Sequence, residues 1–225
     1  MKSIFICILF LSVSMIHSQT LNLTIGTTYS SLEWTYLNPN GFSQEQYKAP
    51  LIGYAVGLGV EYMDRGLFSL SSDVSFYRSG GQLSDTEKEQ RPQPGRIGFG
   101  DPDEIRVDYA ALGTYVNINP INGATKLQFQ IGPRIDFLIS DTDQDPLKFV
   151  ERRDGLSNIN YGFNLGLGLH RVSEKLNYGL RAIWLSRFRQ LADLDSAVTN
   201  DGLFWGAEAT ERVFLLQLSL GYRFK

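Results

Sequence analysis

The pattern that recurs along this chain is strict alternation of apolar residues with small or polar ones. It is clearest from Leu51 to Asp64, where Ile52, Tyr54, Val56, Leu58, Val60 and Tyr62 alternate with Gly53, Ala55, Gly57, Gly59 and Glu61. Period two marks a strand with two unlike faces. In a soluble sandwich the second face would meet water and carry many Lys, Thr and Glu; here it is mostly glycine and alanine. Three further segments repeat the pattern. Leu127, Phe129, Ile131, Ile135, Phe137 and Ile139 alternate with Gln128, Gln130, Gly132, Arg134 and Asp136; Ile159 to Leu169 alternate with Asn160, Gly162, Asn164, Gly166, Gly168 and His170; Phe214 to Phe224 alternate with Gln217, Ser219, Gly221 and Arg223.

Four weaker segments complete the set: Leu21 to Trp34, Leu67 to Arg78, Ile105 to Ile118 and Leu176 to Arg189. In the third, Ile105, Val107 and Tyr109 alternate with Arg106 and Asp108, and the phase blurs after Ala110-Ala111, as a bulge would make it. The connections take turns in length. Met63 to Gly66, Asn119 to Thr125 and Ser173 to Lys175 are short, whereas roughly 35–50, 80–103, 140–157 and 190–210 are long. Loops beyond ~12–15 residues are uncommon in compact soluble domains. Short and long in strict rotation is the order of an outer-membrane barrel, with tight periplasmic turns and long outer loops. The predicted fold is all-β: an eight-stranded, antiparallel, up-and-down transmembrane β-barrel.

An apolar-out sheet can sit in lipid only if it closes, since no backbone group may be left unpaired there. Eight strands enclose a space that side chains fill. The residues alternating with the apolar face include Glu61, Asp73, Asp108 and Asp136 with Arg106, Arg134, Arg181 and Arg223, four acids against four arginines. They predict a salt-bridged, partly hydrated interior and no wide pore.

Composition agrees with strands: 22 Gly accompany 14 Phe, 11 Tyr and 3 Trp in 225 residues. Residues 1–18 read as a secretory signal, with Lys2, an apolar core from Ile4 and a small-residue end at Ser18, leaving 19–225 as one barrel domain. Cys7, the one cysteine of the chain, lies inside that leader, so the mature chain has no disulfide. A net charge of −3 offers no basic excess for nucleic acid. That total is unevenly spread: the four long segments hold fifteen acidic and seven basic residues, net −8, and the rest of the chain after residue 18 holds nine and thirteen, net +4. The outer loops carry the acidity.

The strand Leu127-Gln128-Phe129-Gln130-Ile131-Gly132-Pro133, the leader ending before Gln19 and the closing Leu218-Ser219-Leu220-Gly221-Tyr222-Arg223-Phe224 resemble the PorT-like and OmpA-like outer-membrane β-barrel proteins of Bacteroidetes. The resemblance spans the mature chain. It implies an outer-membrane location, association with outer-membrane lipid, and insertion by the barrel-assembly machinery with Tyr222 and Phe224 as the aromatic positions of the assembly signal. It implies no shared active site.

Candidate chemistry adds little. Gly57-Leu58-Gly59 and Gly166-Leu167-Gly168 complete no phosphate-binding fingerprint and open no helix. Asp141, Asp143 and Asp145 have the spacing of calcium ligands, but Pro146 stands where the loop would need glycine, and an ordinary acidic loop is the expectation. His170 is the one histidine left after the leader, predicted near a short turn and not catalytic. Pro133, mid-strand, predicts a bulge. Phe204 and Trp205, in an acidic loop, are the candidate contact for an extracellular or envelope protein partner. No enzyme, cofactor or metal is expected. The rival readings are a soluble lipocalin-like barrel with an apolar ligand inside, a secretion-system component or narrow transport pore, and an outer-leaflet lipid hydrolase.

Overall fold

The structure, a computed structural model, describes residues 20–37, 43–89, 103–141, 158–188, 192–198 and 204–224. Among them are ten strands and one short helix: β1 (Thr20–Leu37), β2 (Ser43–Gln46), β3 (Ala49–Tyr62), β4 (Phe68–Gln82), α1 (Asp85–Glu89), β5 (Glu104–Asn122), β6 (Thr125–Asp141), β7 (Ile159–Val172), β8 (Leu176–Arg187), β9 (Ala192–Val198) and β10 (Phe204–Arg223). Residues 1–18, where the leader was read, lie outside the described residues. Among the described residues no helix is long and apolar enough to cross a membrane.

Eight strands, β1, β3 to β8 and β10, pair antiparallel in sequence order, and β1 closes the sheet against β10 from Thr20↔Arg223 to Leu37↔Gly206. The short strands extend the wall at one rim. β2 pairs with β1 beyond the end of β3, and β9 pairs with β10 beyond the end of β8. The segments 35–50 and 190–210, read as loops, are therefore partly wall. Residues 63–67, 123–124 and 173–175 form tight turns, all at the opposite rim. In the first, Met63 and Gly66 take positive φ angles and the Gly66 N–H donates to Asp64 Oδ1 at 3.0 Å. The turn after β5 is tighter than the spacing implied, because β5 and β6 continue to Asn122 and Thr125.

The alternation sorts side chains to two faces. Leu23, Ile25, Ile52, Leu58, Tyr161, Leu169 and Leu218 are all exposed on the outside, Ile52 to 73%. Gly57, Gln130, Asn164 and Gln217 point in. A soluble barrel would invert this arrangement, so the lipocalin-like reading fails on the direction of the apolar faces of β3 and β7.

The interior is not uniform along the axis. Toward the tight turns it is polar, with Thr24, Ser69, Asn117, Lys126, Gln128 and Ser219 buried. Toward the other rim it is an apolar cluster of Leu32, Tyr47, Ala55, Leu83, Ile105, Val107, Ile183, Leu185, Val213 and Leu215. Tyr47, between β2 and β3, takes a left-handed φ of 62° and is wholly buried, which caps this end. β4 accommodates the cap at Gly81, where an imagined Cβ would stand 2.6 Å from the Tyr47 carbonyl oxygen; beside it Gly80, with a φ of 144° and an imagined Cβ only 1.9 Å from the Ile105 carbonyl oxygen, admits no side chain.

No bulge forms at Pro133. Its pairing with Phe163 on β7 is regular, and on the β5 side the ladder lapses after Gly113↔Arg134 and resumes at Val116↔Ile131 in the same register. A missing N–H removes a bond without requiring an extra residue. The register shifts of the β5–β6 pair lie elsewhere, between Asp108 and Tyr109 and between Ile118 and Ile121.

Candidate functional site: the charged interior

Strand phase dictates which ionisable groups enter the barrel. On β6 the even residues point inward, delivering Lys126, Arg134 and Asp136; on β8 the odd residues deliver Arg181 and Arg187; on β10 they deliver Glu211 and Arg223. β3 and β4 contribute Glu61 and Asp73. These groups assemble at two levels.

Near the tight turns, Lys126 Nζ lies 3.3 Å from Glu61 and 3.5 Å from Asp64, and Arg223 lies 3.6 Å from the same Asp64 carboxylate. Ser69 donates to Glu61 at 2.6 Å, and Asn117 Nδ2 donates to Ser69 and Ser71. Arg181 donates to Gln217 at 3.1 Å. His170 sits beside Ser219, with 3.4 Å between Nδ1 and Oγ. Of these, Glu61, Asn117, Lys126, His170, Arg181 and Ser219 line a polar cavity of about 30 Å³. Asn117 Oδ1, His170 Nε2 and Arg181 Nε of that lining have no protein partner, and the space suits about two bridging waters.

The second level is embedded in the apolar cluster. Arg134 donates to Asp136 at 2.6 Å and to the Tyr77 hydroxyl at 3.4 Å. Arg187 donates to the same hydroxyl at 3.1 Å, lies 3.6 Å from Asp136 and pairs with Glu211. Its guanidinium also stands over the Tyr109 ring, 4.6 Å from the centroid, and the Tyr77 and Tyr109 rings stack at 5.3 Å. Two arginines, two carboxylates and two phenols thus fill the lumen where the wall lining is apolar. Buried pairs of this kind add little net stability but are severely destabilising when half-removed.

Of the residues expected inside, Glu61, Asp73, Arg134, Asp136, Arg181 and Arg223 point in, and Arg106 and Asp108 do not. On β5 it is Ile105, Val107 and Tyr109 that are buried, while Arg106 and Asp108 lie outside. There Asp108 accepts a bidentate fork from Arg78 at 2.7 and 2.8 Å, and Arg106 pairs with Glu104. The reason is height. These residues stand toward the rim of the long connections, where the exterior is polar and the interior apolar. Lys126, Arg187, Glu211 and Tyr115, whose hydroxyl lies 3.0 Å from Asp73 inside the barrel, were missed. Continuing the phase of Arg181 by six residues reaches Arg187, and counting back from Gln217 reaches Glu211, so the signal was present in the period.

Tyr222 and Phe224 lie on the outside and meet edge to face at 5.1 Å. Phe204 and Trp205 belong to β10, paired with Val198 and Ala197, rather than to a loop; their side chains lie outside the described residues. Asp141 ends β6, and Asp143 and Asp145 lie outside the described residues. Among the described residues no group of three His, Cys, Asp or Glu side chains converges as metal ligands would.

No family profile matches the chain, and no curated protein matches it. Among solved structures it is similar to the outer membrane protein OprG from Pseudomonas aeruginosa, with a TM-score of 0.61 at 11% identity over 93% of this chain and 97% of that one. It is also similar to the Neisserial surface protein A, at 9% identity over 91% and 97% with a TM-score of 0.44. The attachment invasion locus protein Ail of Yersinia pestis aligns at 12% identity over 91% and 98%, with a TM-score of 0.38. The first of these likenesses identifies the fold, an eight-stranded antiparallel β-barrel.

Proposed function

We propose that this chain is a non-enzymatic outer-membrane β-barrel whose filled lumen makes it a scaffold, with its function carried on the long connections. The observation that carries the reading is the combination of a closed hydrogen-bonded wall, an apolar exterior and charges turned inward. Lipid is the solvent for which that inversion is favourable. The tight turns then face the periplasm and the long connections face outward. Residues 1–18 direct export and are removed after Ser18, and Tyr222 and Phe224 serve the barrel-assembly machinery. The net −8 of the long connections supports an extracellular or envelope protein partner of basic surface, with Phe204 and Trp205 as its candidate contact.

Fractionation of cells producing the full chain tests the location. Recovery with the outer membrane, and release only by detergent, is expected; recovery in the periplasmic supernatant would overturn the reading.

The PorT-like resemblance favours a second role, as a component of a secretion system. Deleting the chain and comparing exported proteins separates the two, because a scaffold leaves export intact. Conduction by the barrel itself is disfavoured by the stacked Tyr77 and Tyr109 and the arginines against them.

A further inference from the structure

The exterior basic residues near the rim of the long connections differ in one respect. Arg78 is held by Asp108, and Arg106 by Glu104. Arg212, exposed on the outer face of β10, makes no ion pair among the described residues. Glu33, on the neighbouring strand, lies opposite Thr210, one row further toward the rim, and does not engage it.

Strand pairing gives Arg212 an unusual setting. The β8–β10 ladder ends at Val213↔Leu185, and β10 resumes pairing with β9 only at Ala209↔Ala192. Between these points the wall has a notch of about 300 Å³, into which Arg212, Ser186, Thr210 and Phe188 contribute. Its back is closed from inside by Arg187 and Glu211, which form an ion pair with each other. Ser31 lies directly across from Arg212 on β1. One row below, toward the membrane centre, Tyr29, Phe214 and Trp184 form a continuous exposed aromatic row.

An aromatic row marks the depth at which head groups meet acyl chains. A guanidinium one row above it, with hydroxyls on both sides and no carboxylate partner, matches the charge and fork geometry of a phosphate. We propose that this notch binds the phosphate head group of an outer-leaflet lipid, with Arg212 as the ligating cation and the acyl chain lying over Trp184 and Phe214. The site rests on the membrane reading above.

The test uses the full chain recovered from membranes and inserted into bilayers of phosphatidylcholine containing a minor fraction of phosphatidic acid. Lipid retained after release into detergent is read by native mass spectrometry, and only inserted barrel is compared, so failure to insert counts against the membrane reading alone. The wild-type chain is expected to retain phosphatidic acid preferentially, Arg212→Gln to retain about fivefold less, and Arg106→Gln, which removes a paired cation, to match wild type. Equal retention by Arg212→Gln, no preference in wild type, or an equal loss in Arg106→Gln would overturn the proposal. Inorganic phosphate serves as the competing arm. Retention that survives it supports a lipid ligand, and full displacement by it would overturn the lipid assignment.

Discussion

Tyr115 donates its hydroxyl hydrogen to Asp73 Oδ1 across 3.0 Å, from one strand to the next inside the barrel. Asn164 Nδ2, from β7 beyond the intervening β6, donates to the same hydroxyl at 2.9 Å, so one phenol ties β4, β5 and β7 together. The ring reaches this position by lying over Gly113, where a Cβ would stand 1.6 Å from the hydroxyl oxygen. Tyr115→Phe is expected to destabilise by about 1–3 kcal/mol, the desolvation penalty of leaving buried polar groups unpaired. Gly113→Ala displaces the ring and is expected to cost about as much, 1–3 kcal/mol, through overpacking. Urea unfolding of the detergent-folded barrel measures both, and an unchanged midpoint for Gly113→Ala would show that the ring is free to move.

Lys126 is the hinge of the polar end, shared by Glu61 and Asp64. Removing it as Lys126→Met leaves two carboxylates with one remaining cation, Arg223, and a loss of about 3–5 kcal/mol is expected. The double variant Lys126→Met/Glu61→Gln is expected to recover part of that loss in the same unfolding experiment. Full additivity would mean that the pair is not coupled.

Val74 lies on the outside of β4, 46% exposed, in a cross-strand row with Leu58 and Leu112. Val74→Arg is expected to reduce the stability of the barrel in vesicles by about 2–4 kcal/mol. In a detergent-free aqueous buffer a soluble barrel would tolerate the same change on its surface. A neutral effect in vesicles therefore argues against burial of this row in lipid.

Tyr222 and Phe224 form an exterior aromatic pair, and a role in assembly predicts a dissociation of two measurements. In Tyr222→Ala/Phe224→Ala, insertion catalysed by the assembly machinery is expected to slow markedly. Unaided refolding into detergent should change little, by about 0.5 kcal/mol. Parallel losses would make the pair a packing element instead.

The parts of this fold that were legible in the sequence are those where bilayer and period agree. β3, β7 and the latter part of β10 each keep an apolar outer face through the thickness of the belt, and both their existence and their orientation followed from alternation. The reading of β5 failed at Arg106 and Asp108 because it carried the apolar-outside rule beyond its range. A spanning strand needs ~9–11 residues in lipid, whereas β5 runs from Glu104 to Asn122. Past the belt the exterior is polar, and Ile105, Val107 and Tyr109 turn into the lumen without any break in phase. β2 and β9 were illegible for a related reason. Ser43–Gln46 has no apolar residue, and Ala192–Val198 alternates only briefly, as Ala192-Asp193-Leu194-Asp195, since they extend the wall at the polar rim and take their structure from pairing with β1 and β10. Lys126 shows a different limit: its inward direction followed from phase, but its carboxylate partners, 62 and 65 residues away, required the barrel to be closed.

The seam between β1 and β10 has a kinetic meaning. It joins Thr20 to Arg223 and continues unbroken to Leu37↔Gly206, so two of the most distant stretches of the chain meet in one continuous ladder. Loop-closure entropy must be overcome before such a contact returns any energy. Until it forms, β1 and β10 each present a long unpaired edge, one of them with alternating leucines, open to pairing with another chain. The barrel therefore has a vulnerable interval that ends only when its two edge strands find each other, and any factor that shields those edges or brings them together controls its yield.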